Sequence, residues 1–72
     1  MKTLTKFARD VIAGDEVDYN GKIFSVDAIE HNKEAQVLGV RGLYTCIELV
    51  DSDGGEMSIA VSKNRKFDVI AA

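Results

Sequence analysis

The segment Glu56–Ser62, "EMSIAVS", alternates apolar and small polar residues without a break. That period of two predicts an extended strand with Met57, Ile59 and Val61 inward and Ser58, Ala60 and Ser62 outward. On a helix the same residues would scatter around the axis and leave no stripe to bury. Runs of this kind recur along the chain, each closed by a turn signal. Short strands at such even spacing predict a mostly β chain, a small barrel or sandwich.

The other strands follow from the same reading. "EVDY" (16–19) meets Asn20-Gly21, the strongest two-residue hairpin signal present, because a type I′ turn needs positive φ at both positions. In "KIFSVDAIE" (22–30), Phe24 and Val26 share a face and Ile29 falls out of phase, so a bulge near Asp27-Ala28 is expected to return it to the core. "TCIELVD" puts Thr45, Ile47 and Leu49 on one face and Cys46, Glu48 and Val50 on the other. "DSDGG" and "KNR" read as turns, and "KFDVI" closes the series with Phe67 and Val69 inward. Near the start, "TLTKFAR" (3–9) places Leu4, Phe7 and Ala8 at helical spacing after Thr3 as N-cap, which predicts one helical turn, with an extended segment as the competing reading.

The order "GDEV", "GKIFSVDAIE", "TCIELVD", "EMSIAVS", "KNR", "FDVI" resembles the SH3-like small barrel in its broad sense. The resemblance covers residues 14–70 and implies a single domain of about five strands, a one-turn 3-10 connection at "KNR", and residues 1–13 as a lead-in. The opening is similar to those of small stand-alone phage-encoded barrels. That likeness implies a phage-encoded regulator of a host or phage complex, acting in the host cytoplasm.

Seventy-two residues support one thin core. A chain of this size hides only about 60% of its unfolded surface, and a substrate cavity of roughly 300–1,000 Å³ would compete with that core. A binding module is therefore expected in place of an enzyme, with no cofactor and no metal. No apolar run approaches the roughly 20 residues of a membrane helix, and the N-terminal stretch lacks the apolar centre of a secretory leader. Cys46 is the sole cysteine, which favours a reducing compartment. The net charge of −3 argues against general binding to a phosphate backbone.

Several clusters invite chemistry. Asp51, Asp53 and Glu56 bunch around a tight turn, but Gly55 and Ser62 stand where an EF-hand loop needs its third ligand and final glutamate, so turn chemistry is the expectation. His31 and Cys46 are the conventional base and nucleophile, with no neighbouring cation in sequence to activate the thiol. Lys63, Arg65 and Lys66, with Lys22 nearby if the last strand pairs back near the start of the barrel, form the alternative reading, a nucleic-acid interface with Tyr19 and Tyr44 as stackers and Phe24 in the core. Asp10, Asp15, Glu16 and Asp18 read equally as a solvated edge or as a dock for a basic surface.

"EHNKEAQVLGVRGLY" (30–44) is richer in apolar residues than its place demands. One reading makes "HNKE" a hairpin turn, Ala35 to Val40 a strand paired with "FSVDAIE", and Arg41-Gly42 a bend; the other makes the segment a long loop. In the strand reading Val37 faces one way, and Leu38 and Val40 the other. Val37 and Leu43 are expected to complete the core and Leu38 and Arg41 to lie outside it. Arg and Tyr are the types enriched in interface anchors. The expected partner surface therefore combines Leu38, Val40, Arg41 and Tyr44 with His31, and homo-oligomerisation is its nearest variant.

Overall fold

The computed structural model describes residues 2–71. They form one antiparallel sheet of six strands in the order β1-β6-β2-β3-β4-β5. The strands are β1 (Lys2–Phe7), β2 (Glu16–Tyr19), β3 (Lys22–Val37), β4 (Val40–Val50), β5 (Glu56–Val61) and β6 (Lys66–Ala71), with one 3-10 turn at Ala8–Asp10. The mostly β reading holds.

The lead-in departs from the helical expectation. Residues 2–7 pair with β6 from Lys2↔Ala71 to Phe7↔Lys66, and only Ala8–Asp10 are helical. The ladder to β6 satisfies a full row of backbone groups, which outweighs the weak preference of Leu4, Phe7 and Ala8 for a helix. Leu4 stays 54% exposed, so the spacing that suggested an amphipathic face does not serve the core.

The sheet cannot be flat. β6 is second and β5 last in the hydrogen-bonded order, about 19 Å apart if laid out at the normal strand spacing. Yet residues 62–65 join them through one β-turn, closed by Arg65 N–H donating to the Ser62 carbonyl at 2.9 Å. The sheet must therefore roll until the end of β5 meets the start of β6. The connection is a single β-turn where the family resemblance implied a 3-10 turn.

Rolling gathers one core from five strands: Val17, Phe24, Val26, Ile47, Leu49, Val61, Phe67 and Val69. Ala8 and Val11, both fully buried, join it from the segment after β1. That segment is tied at both ends: Ala8 N–H donates to Arg65 O (2.7 Å), and Val26 N–H to Asp15 O (2.8 Å). Thr45 completes the inward row of β4, while Met57 remains 37% exposed at the far end of β5.

Both features read from phase and turn chemistry in β2–β3 are present. Asn20 and Gly21 have φ of 54° and 82°, the type I′ pattern. The β3–β4 register shifts between Val26 and Ala28, and Ile29 packs against the core beyond that bulge.

Candidate functional site

The candidate site is the far half of the β3–β4 hairpin. β3 does not end at Glu30. It runs through a second bulge between Glu30 and Lys33, where His31 and Asn32 oppose Thr45 alone, and Asn32 sits at φ 55°. Asparagine tolerates that left-handed conformation because its side chain is short and polar. Glu30 and Lys33 bridge the bulge at 3.1 Å, and this hydrogen bond raises the Lys33 ammonium above its ordinary value.

Beyond the bulge Lys33–Val37 pair with Val40–Tyr44, and the turn is Leu38-Gly39. "HNKE" is thus inside the strand, Arg41-Gly42 is regular β4, and residues 35–40 do not pair with "FSVDAIE". Polar residues placed in a bulge mimic a turn in the sequence, which is why the hairpin was expected too early. Among the described residues these two stretches pair only with each other, since β2 takes β3 only through Ser25 and β5 takes β4 only from Thr45. They form a two-stranded arm on the rolled sheet, in a molecule 36 Å long and 19 Å across its thinnest axis.

Among the described residues the arm carries the three most exposed large apolar side chains, with Ile12 close behind them elsewhere in the fold. Leu38 is 99% exposed, Leu43 67% and Val40 62%. Leu43 was expected in the core; it points to the core side of β4 but lies past the end of that core. Val37 is half-buried. Cross-strand partners share a face, so Val37, Val40, Ala35, Gly42 and Tyr44 lie on one side and Gln36, Arg41, Glu34 and Leu43 on the other. Val37 and Val40 therefore face the same way, and Leu38 occupies the tip. Tyr44 lies along its face, donating its hydroxyl to the Val40 carbonyl at 2.9 Å, with its ring over Gly42.

Of the residues expected to form one surface, Val40 and Tyr44 meet on one face while Arg41 lies on the other. His31 lies at the base, seven residues from the tip and so roughly 20 Å from Leu38. Its Nδ1 is 3.4 Å from Thr45 Oγ1. Cys46 pairs with Glu30 and Ala60 and points to the opposite face of β4 from Thr45, which places the thiol and the imidazole on different sides of the sheet.

The basic residues gather in part. Arg65 lies 5.8 Å from the Tyr19 ring centroid and 5.5 Å from that of Phe67. Lys22 is Tyr19's cross-strand partner, but its ammonium is 3.0 Å from Asp51. Tyr19 and Tyr44 are half-buried and Phe24 is core. The sequence reading omitted Arg9, which stacks on Phe7 at 4.4 Å and donates to Asn64 Oδ1 at 2.7 Å.

In the "DSDGGE" turn, the Asp51 carboxylate accepts N–H groups of Asp53 (2.9 Å) and Gly55 (2.8 Å) besides pairing with Lys22. Lys22, then the Gly55 N–H, hold it below the usual carboxylate range. Its oxygens are spent on the turn. Among the described residues, no three His, Cys, Asp or Glu side chains converge as metal ligands, and no helix is long and apolar enough to cross a membrane.

No protein-family model matches the chain, and no curated protein sequence matches it.

Proposed function

We propose that the chain is a non-catalytic protein-interaction module that engages its partner through the β3–β4 arm. The observation that carries this is Leu38, 99% exposed at φ 51° in the first position of a two-residue turn. A side chain other than Gly, Asn or Asp costs roughly 1–2 kcal/mol in that conformation. Exposed leucine returns none of it in the isolated molecule. Burial against a partner would return about 1.5–3 kcal/mol, so the residue makes sense in a complex. Val40 and Leu43 flank it with further uncovered apolar surface. A phage-encoded regulator of a host or phage complex, acting in the cytoplasm, is the role consistent with the family resemblance.

Leu38→Asp and Arg41→Ala should leave the far-ultraviolet circular dichroism unchanged and the melting temperature no lower, with Leu38→Asp raising it if anything, while abolishing capture of the partner from lysate. Unfolding by Leu38→Asp would remove the anchor from this reading. Sedimentation of the protein alone tests self-association through the same surface.

Arg65 over Tyr19 favours a second reading, a nucleic-acid interface using Lys22, Lys63, Arg65 and Lys66. Affinity for single strands falling steeply with salt supports it, and no binding at low salt removes it.

A further inference from the structure

We infer that the occupant of the arm is an extended acidic peptide with alternating apolar side chains, added as a strand along Val40–Tyr44. This deepens the protein-interaction reading and rests on it. In a two-residue hairpin the residues flanking the turn exchange both hydrogen bonds, and the bonding direction then alternates along the strand. Val40 and Gly42 therefore bond to β3, and the N–H and C=O of Arg41 and Leu43 face the open edge left where β5 stops at Val61. That edge is roughly 16 Å long. It has no proline and no bulge, two of the devices that blunt a free edge, and its one charge is Arg41. The β3 side of the arm, by contrast, carries the His31-Asn32 bulge, Lys33 and Glu34.

A groove of about 420 Å³ lies between the arm and the β5–β6 turn, with Val37, Tyr44 and Val61 as apolar lining and Ser62, Asn64 and Arg65 on the turn. Four of the described cations gather at and beside this turn: Lys63 and Arg65 in it, Lys66 at the start of β6, and Arg9. Arg9 N–H donates to Lys63 O at 3.2 Å, and Arg9 and Lys66 share the Phe7 ring at 4.4 and 5.9 Å. Among the described residues no carboxylate lies within 4.0 Å of Arg9, Lys63, Arg65 or Lys66, whereas Lys6, Lys22 and Lys33 are each paired with one. Arg41 on the arm is likewise unpaired. Arg65 on the groove, with Lys63 next to it in the turn and Lys66 and Arg9 adjoining at the Phe7 ring, gives this end of a chain of net charge −3 a local positive charge that selects a locally acidic ligand. Valine-lined space suits aliphatic side chains, and free N–H and C=O groups suit a peptide backbone, so a peptide fits better than a polyphosphate.

The test is an NMR titration of the intact, isotope-labelled protein with three probes: a decapeptide alternating glutamate and valine, the same peptide with lysine for glutamate, and an oligothymidylate of equal length. The acidic peptide should shift amides in 40–45 and 60–66, and the lysine peptide should bind at least about tenfold more weakly. A Lys63→Glu/Lys66→Glu variant should lose a similar factor for the acidic peptide while its spectrum without peptide stays folded. Absence of shifts, equal binding of both peptides, or a preference for oligothymidylate each overturns the inference. If the peptide fails while Leu38→Asp still abolishes partner capture, only the identity of the occupant falls. If the peptide binds while Leu38→Asp captures normally, the tip loses its role and the groove keeps its ligand.

Discussion

Leu38 and Asp51 show two opposite uses of a turn residue. At Asp51 the side chain stabilises its own turn, accepting two backbone N–H groups and an ammonium. Gly55 leaves room for the carboxylate in that position, because a Cβ there would stand 2.6 Å from Asp51 Oδ2. Gly55→Ala should therefore displace the carboxylate, and its pKa, followed by NMR, should return toward the ordinary aspartate value. A group depressed on folding adds stability that is complete above its unfolded pKa, near 3.9, and is lost as pH falls through the lower folded value. Asp51→Asn should accordingly flatten the decline of stability below about pH 4, measured as urea midpoints across that range. An unchanged slope would mean that the Lys22 pair and the turn N–H groups are too screened to matter. Asp51's role was legible in the sequence, since Asp and Gly in a tight turn announce it. Leu38's was not: a leucine contradicts the turn it occupies, so the hairpin was sought in "HNKE", where the residues look right.

Among the elements, β3 was half legible. The phase slip at Ile29 betrayed the first bulge, because an alternating strand that must bury every inward residue cannot slip without one. The second bulge left no such trace, since past it lie no core residues to fall out of phase. β1 stood undecided between a helical turn and an extended segment because its pairing with β6 joins the two ends of the chain, which no local window sees. The arm contributes no side chain to the buried cluster, so it should be dispensable for folding. Lys33↔Tyr44 has the bonding parity of a turn-flanking pair, so residues 34–43 can be replaced by Asn-Gly. This variant should melt within a few degrees of the parent and lose its partner. Collapse of the fold would show that the arm nucleates the hairpin.

At the scale of the whole molecule, stability should be modest, roughly 4–11 kcal/mol for a domain of this length. The core is a single layer of side chains inside a rolled sheet, and Ile47 and Leu49 are its largest fully buried members. Ile47→Ala should cost about 2–5 kcal/mol, enough to populate the unfolded state on mild heating followed by circular dichroism. This core was largely legible, because alternation names the inward residues directly. Against so small a total, a leucine held in a left-handed turn is a sizeable cost. Replacing it with asparagine measures that most directly, by urea unfolding and partner capture on the same sample. Leu38→Asn is predicted to raise stability by about 1 kcal/mol and to abolish capture; a fall in stability, or capture left intact, would contradict the arm as the functional element.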